Sequence, residues 1–248
     1  MHHFFLPPNS FNANAVVFPR EIAHQIIKVL RLPEGAQVLA LDSSGCEFLT
    51  RLSFTGSQLV GEVMERRVNK AEPGLRLTLA VAMTQREKFE WILQKGTELG
   101  IGAFLPFASK YSLNQETELE TGKRLRWEKI IREAAEQCER GRLPVLHAPL
   151  PFSRCLEVAV KGGRIFFGAE RSGTTSLLTA SQGLDPIAAV TWMVGPEGGF
   201  SQEETSQAAQ SGAELVSLGA RILRMETAAI AGAAIILAAA GDLGPSGS

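Results

Sequence analysis

From residue 76 onward, short apolar runs alternate with segments of helical periodicity, and this alternation restricts the fold more than any other feature of the chain. The runs 76–83, 101–107, 164–170, 188–195 and 213–219 read as strands. Between the first two lies a helix to residue 100, with Phe89, Ile92, Leu93, Gly96 and Leu99 on one stripe and Gly100 as its C-terminal stop. A long charged helix is expected over 119–140, buried through Ile130, Ile131, Ala134, Ala135 and Cys138. Ser201 and Glu204 form a capping box that opens a helix to about residue 211. An alanine-rich helix over 226–240 can lie close against a neighbour, and the tail 241–248 is expected to fray. Strands alternating with helices predict an α/β domain around a mainly parallel sheet, whose ligands collect beyond the carboxyl ends of the strands.

Ahead of this stretch the grammar differs. Ile22, Ile26, Val29 and Leu30 fall at helical spacing within 19–32, with His24, Lys28 and Arg31 on other faces, and Gly35 ends the segment. Two strands flank the Asp-Ser-Ser-Gly turn at 42–45, and 59–64 supplies another, so residues 1–70 read as a small barrel or compact sheet. The polar Pro-Gly stretch 69–74 marks a boundary, giving domains 1–72 and 73–248.

Composition narrows the function. The 25 Lys/Arg and 26 Asp/Glu cancel to a net charge of -1, which excludes a simple polycationic binder. Residues 1–142 carry 19 basic and 17 acidic side chains, the remainder 6 and 9, so the lean toward a basic first part is slight. Much of the middle helix pairs its own charges, Glu128 with Arg132 and Glu136 with Arg140 at i,i+4. Cys46, Cys138 and Cys155 are too scattered for a disulfide framework, and the four histidines form no metal-ligand pattern. No signal-like segment opens the chain, and the apolar stretch 228–240 is too short to span a membrane, so a soluble cytoplasmic protein is expected.

Two loops carry candidate chemistry. Gly195-Pro196-Glu197-Gly198-Gly199-Phe200 follows an apolar strand directly, and its paired glycines permit close backbone approach to a ligand. The second runs from Leu218-Gly219 through Arg221 and Arg224 to Ala228, with a helix starting at Glu226; two arginines beside a glycine turn at a strand end suggest an anion site. No G-x-x-x-x-G-K-[ST], strand-borne G-x-G-x-x-G or G-x-S-x-G is present, which weakens NTPase, dehydrogenase and esterase readings.

These strings, with three others, match more than a fold class. HQIIKVLRLPEG (24–35), FEWILQKGTELGIGAFLPF (89–107), RWEKIIREAAEQCERGRLP (126–144), VGPEGGFSQEE (194–204) and SLGARILRMETAA (217–229) occur in one order along nearly the whole chain. In this order they resemble the bacterial small-subunit rRNA uridine N3-methyltransferases of the SPOUT superfamily, the RsmE-like group. The resemblance implies a small PUA-like β-barrel, then a SPOUT-type α/β domain with a C-terminal deep trefoil knot. It further implies a homodimer, S-adenosyl-L-methionine as cofactor, no metal, no membrane, and 16S rRNA, within the small ribosomal subunit, as substrate.

By the same resemblance, Val194, Gly195, Glu197, Gly198, Gly199, Leu218, Gly219, Arg221, Ile222, Leu223, Met225 and Thr227 hold the cofactor. Arg224 stabilises the developing uracil anion. Glu197 orients the base or accepts a proton, and Glu197→Gln is then expected to lower turnover more than cofactor affinity. His24, Lys28 and Arg31 in the first domain, with Arg86, Lys95, Arg132 and Arg140 in the second, are the expected RNA contacts. The chain departs from the family at Ala220 and Met225, where Pro and Thr are usual. Two alternatives stand beside this reading: methylation of another RNA nucleotide with the same cofactor, and a non-catalytic RNA-binding ribosome-assembly factor.

Overall fold

The computed structural model describes residues 1–56, 58–169 and 175–244. Glu170 of the expected 164–170 strand and residues 245–248 of the expected tail lie outside the described residues. The chain divides into two compact units, Met1–Glu72 with Arg132–Leu143, and Pro73–Ile131 with Pro144–Ser248. The segment Arg132–Leu143, which a linear boundary assigns to the second domain, therefore belongs to the first.

In the first unit, strands β1 (His3–Phe5), β2 (Ala15–Val17), β3 (Gln37–Leu41), β4 (Cys46–Thr55) and β5 (Gln58–Val68) form one sheet in the order β1-β3-β4-β5-β2. Only β1 against β3 is parallel; the other pairings are antiparallel. Successive strand residues face opposite sides. Phe4 thus enters a core with Val16, Phe18, Ile26, Val38, Ala40, Leu52 and Leu59, while Phe5 and Leu41 pack on Ala135 and Leu143. Glu136 accepts the Phe5 amide at 2.9 Å and Arg132 donates to the Phe5 carbonyl at 2.8 Å. Arg140, only 4% exposed, pairs with Glu72 at 3.0 Å. These bonds explain why the segment folds here.

The i,i+4 pairs expected along the charged helix are displaced by the same contacts. Glu128 accepts from Arg124, and Arg132, Glu136 and Arg140 are drawn to Phe5 and Glu72. The expected helix over 19–32 is also modified. Helix α1 (Arg20–His24) continues as a π-helical turn, Gln25–Val29, closed by the Leu30 amide on the Gln25 carbonyl at 2.9 Å. The i→i+5 bond puts one more residue into the turn, so Val29 leaves the apolar stripe and stands 67% exposed.

In the second unit, β6 (Arg76–Ala82), α2 (Arg86–Leu99) and β7 (Ala103–Ala108) come first, followed by α3 (Thr121–Gln137), whose last residues count with the first unit. Next are β8 (Val145–Leu146), β9 (Leu150–Pro151), α4 (Phe152–Gly162), β10 (Arg164–Gly168), β11 (Thr175–Ser176) and α5 (Leu177–Ala180). The chain ends with β12 (Ala189–Val194), α6 (Gln202–Gln210), β13 (Glu214–Ser217) and α7 (Met225–Ala239). The sheet order is β11-β13-β10-β12-β6-β7-β8, with β9 beside β7, and every pairing is parallel.

Gly100 caps α2 with φ +109, as its place after the stripe predicts. The capping box of α6 is present in both directions, Glu204 Oε2 accepting from the Ser201 amide at 2.8 Å and Ser201 Oγ from the Glu204 amide at 3.2 Å. Phe89 stacks on Trp127 at 4.3 Å, fixing α2 to the first part of α3. Each such buried side chain contributes roughly 1.5–3 kcal/mol. Cys155 is fully buried on α4, and burial pushes its thiol up to about 12, so it serves packing. No described helix is long and apolar enough to cross a membrane.

Candidate active site

At the carboxyl ends of β10, β12 and β13, two glycine-bearing loops enclose a cavity of about 600 Å³. In the loop after β12, the Gly199 amide bonds the Pro196 carbonyl at 2.8 Å while Gly199 takes φ +72, a conformation glycine adopts without steric cost. Phe200 anchors this loop, its ring centroid 4.1 Å from Phe167 and 6.1 Å from Phe107. A Cβ on Gly195 would stand 2.9 Å from the Phe200 ring, so the bare glycine is what admits the anchor. After β13, Ser217 Oγ accepts the Gly219 amide at 3.1 Å, and the chain then runs to Arg224, the N-cap of α7.

The fold brings Val194, Gly195, Glu197, Gly198, Gly199, Leu218, Gly219, Arg221, Ile222, Leu223, Arg224 and Met225 together on the walls of this one cavity. Thr227 is the exception: it is exposed and does not line the cavity. Met225 and Ala228 do line it, and at about 100° per residue a side chain two positions beyond Met225 lies on the other side of the helix. Sequence reasoning missed Gly168 and Ala169 after β10, Trp192, Thr205 and Val216, whereas Phe200 and Ala228 close the two loops it singled out. Gly168 and Ala169 carried a weak signal, since they end an expected strand.

Glu197 is held from outside its own loop. Its Oε1 accepts from Thr84 Oγ1 and from Lys88 Nζ, each at 2.7 Å. Burial pushes the Glu197 carboxyl up, but the bonds from Lys88 and Thr84 outweigh it and hold the group below the usual carboxylate range. The Lys88 ammonium is raised chiefly by its bond to Glu197, and it also feels the charges of Glu226 and Arg224. A carboxylate already accepting two hydrogens, and ionised well below neutrality, is a weak proton acceptor. Its geometry is that of a tether. Arg221 and Arg224 are exposed and make no hydrogen bond or ion pair to the described residues.

The expected RNA contacts separate into two groups. His24, Lys28 and Arg31 are exposed on the first unit. Arg86 is exposed beside Glu90 at 3.1 Å, and Lys95 pairs with Glu98 at 2.8 Å. Arg132 and Arg140 belong to the first unit rather than the second, and both are engaged by its fold. Arg140 is 4% exposed and pairs with Glu72 at 3.0 Å, so its guanidinium is turned to the fold rather than to solvent.

Residues 71–237 match the RNA methyltransferase domain family. The ribosomal RNA small subunit methyltransferase E of Bacillus subtilis is 31% identical over 214 residues, 84% of each chain. The chain belongs to this RNA methyltransferase family. A Synechocystis protein of the same name is 35% identical, over 83% of this chain and 67% of its own. Among solved structures, a ribosomal RNA small subunit methyltransferase E from Neisseria gonorrhoeae, bound to S-adenosyl methionine, superposes with a TM-score of 0.82 at 27% identity. That match covers 94% of this chain and 95% of the other. For an RNA methyltransferase the cavity is the natural place for chemistry, because it lies at the carboxyl ends of parallel strands, where such sheets bind their ligands.

Proposed function

We propose that this chain transfers the methyl group of S-adenosylmethionine to N3 of a uridine in 16S rRNA of the small ribosomal subunit. The observation that carries the reading is the cavity itself. Its size lies within the roughly 300–1,000 Å³ of small-ligand sites, and its two loops offer backbone groups beside the apolar walls of Leu218, Leu223 and Met225. Ile222 stands 72% exposed at the same wall, an apolar surface that a bound adenosine would cover. The residues present fit the cofactor.

When bound, the cofactor supplies a methyl group activated by its sulfonium. The protein must hold that group in line with N3 and favour the deprotonated base. Arg224 is the group for the second task, an unpartnered cation where negative charge develops on the uracil oxygens. Glu197 is a positioning residue that fixes the loop after β12 through Thr84 and Lys88. Glu197→Gln keeps the Thr84 bond and loses the ion pair. It should weaken cofactor binding several-fold, with less effect on turnover at saturating cofactor, because the lost ion pair is only partly shielded from solvent. This reverses the expectation drawn from sequence, and calorimetric titration beside initial rates decides between them. The sign of the pH effect follows from the lowered carboxyl. The tether is present above the ordinary value of 4.5 and is lost as pH falls through the depressed one. Glu197 should therefore add no inflection to the rate profile near neutrality.

In the same reading the first unit is a PUA-like barrel that positions RNA through His24, Lys28 and Arg31. The second is a SPOUT domain with a C-terminal deep trefoil knot, and the working species is a cytoplasmic homodimer. Two features support it. Strands β13, β10 and β12, whose ends carry the cavity, are out of chain order in the sheet. Helix α7 is apolar on nearly every face, as a helix covered on several sides would be.

The deciding experiment incubates small subunits, and separately naked rRNA, with labelled cofactor and maps the methylated nucleotide by digestion and mass spectrometry. The expected product is N3-methyluridine. Label on another nucleotide corrects the target, and absence of any cofactor affinity makes the chain an RNA-binding adapter.

A further inference from the structure

The first unit holds a second cavity, of about 280 Å³, that methyl transfer leaves unused. Its polar groups come from the Met1 ammonium, His2, His3, Gln25, Glu136, Gln137 and Glu139. Glu136 Oε1 accepts the Phe5 amide, and its Oε2 has no hydrogen-bond partner among the described residues. The same is true of the Gln25 and Gln137 side-chain amides. His3 is 8% exposed, and burial lowers its pKa, so the imidazole is neutral at physiological pH. Burial likewise pushes the Glu136 carboxyl up, against the opposing Phe5 amide and the Arg132 charge.

The backbone around this cavity is irregular on two sides. The π-helical turn Gln25–Val29 contributes Gln25, and turns of this kind recur at functional sites. Arg31 and Glu139 both take left-handed conformations, φ +53 and +63, that residues other than glycine rarely adopt.

The chemistry selects the occupant. The two carboxyl groups outnumber the one Met1 ammonium, so the lining disfavours a phosphate, and with two amide carbonyls it accepts from a neutral group rich in hydrogen-bond donors. A space smaller than the roughly 300–1,000 Å³ of drug-sized pockets suits a single flat base. A carboxylate accepts two parallel donors at once, and among the four RNA bases guanine alone presents such a pair, N1–H beside the N2 amino group. Unpaired bases are read on this edge when they are splayed out of a strand. Exposed His24, Lys28 and Arg31 flank Gln25 on the same segment, available to the adjoining phosphates.

We propose that this cavity takes the base of an unpaired guanosine in the RNA substrate, its Watson–Crick edge donating to Glu136, with His24, Lys28 and Arg31 on the neighbouring phosphates. The inference rests on RNA being the substrate, as proposed above. Its test uses the full chain and seven-nucleotide RNAs of uridine with a central guanosine, inosine or adenosine, with binding followed by fluorescence anisotropy at one salt concentration. Guanosine RNA should bind roughly tenfold or more tighter than adenosine RNA, with inosine, which lacks the amino group, between them. Glu136→Gln retains a carbonyl for the Phe5 amide and places an NH₂ where an acceptor is needed. It should abolish the preference while all-uridine RNA binds as before. Gln25→Ala, at an exposed position, should reduce the preference without touching the fold.

Equal binding of the three RNAs, or a preference that survives in both variants, overturns the proposal. Titration of S-adenosylmethionine into the same samples separates the two readings, because none of these residues lines the larger cavity. Intact cofactor binding with no guanosine preference sinks only the base pocket. Absence of cofactor binding in the wild-type chain sinks the methyltransferase reading itself.

Discussion

Arg224→Ala should slow methyl transfer at saturating cofactor by roughly 10²–10³-fold, the effect of removing one preorganised donor to a developing anion. The argument starts from what Arg224 does not do for the fold. It is the N-cap of α7, at φ −63 and ψ 151, yet its side chain makes no capping bond. A cation there is unfavourable, because the helix N-terminus carries positive partial charge; the penalty is about 0.3–1 kcal/mol. Arg221 adds a second unpartnered cation on the same loop. Charge placed against the helix dipole, and left without a carboxylate, is explained by an anion that arrives during reaction. The variant should accordingly melt at the same temperature as the wild type or slightly higher, which separates lost chemistry from misfolding. Arg224→Lys restores charge but not the planar fork and should recover only part of the rate. Rates are read from labelled methyl incorporated into small subunits or rRNA, with cofactor affinity measured alongside. Wild-type turnover in Arg224→Ala removes the proposed role.

What was legible beforehand depended on how local its cause is. Gly100 stops α2 because the next backbone position is left-handed, and the capping box of α6 needs only Ser201 and Glu204. The cofactor loops were legible for the same reason: Gly195, Gly199 and Gly219 announce tight backbone within a few residues of a strand end. Strands β1 and β2 escaped notice because three residues are too few for a period-2 pattern to rise above chance. Helix α4 did carry a signal, Phe152, Cys155, Leu156 and Ala159 at helical spacing, and was overlooked.

Other features lay beyond any local pattern. Phe200 reads as the end of a glycine loop, but its role comes from Phe107 and Phe167, which parallel pairing brings from distant segments. The assignment of Arg132–Leu143 to the first unit depends on Glu72, Phe5 and Ser43, none of them near in sequence. That assignment also alters an experiment. Deleting residues 1–70 to test RNA binding would strip Ala135 of its packing and remove the unit around buried Arg140, so point substitutions at His24, Lys28 and Arg31 are the sound alternative.

Gly232→Ala should destabilise the chain and weaken cofactor binding together, although alanine is the better helix former. Gly232 lies in the interior of α7, where alanine is preferred over glycine by about 0.8–1.0 kcal/mol. Against that gain, a Cβ at this position would stand 2.4 Å from both Cε2 and Nε1 of Trp192. The indole cannot retreat easily. It is buried in the middle of β12, and its Nε1 donates to the Ala228 carbonyl at 3.3 Å. Overpacking of this kind costs typically 1–3 kcal/mol, and occasionally more, so the clash outweighs propensity. Either α7 moves off the sheet or Trp192 moves within it, and both belong to the cavity: Trp192 lines it, as do Arg224, Met225 and Ala228 at the start of α7. Thermal melts and cofactor titrations on one sample should therefore fall in parallel. The exposed control Ala238→Gly, which changes propensity alone, should lower stability while leaving cofactor affinity intact. A Gly232→Ala chain more stable than wild type, with unaltered affinity, would mean that α7 and β12 pack more loosely than this geometry allows.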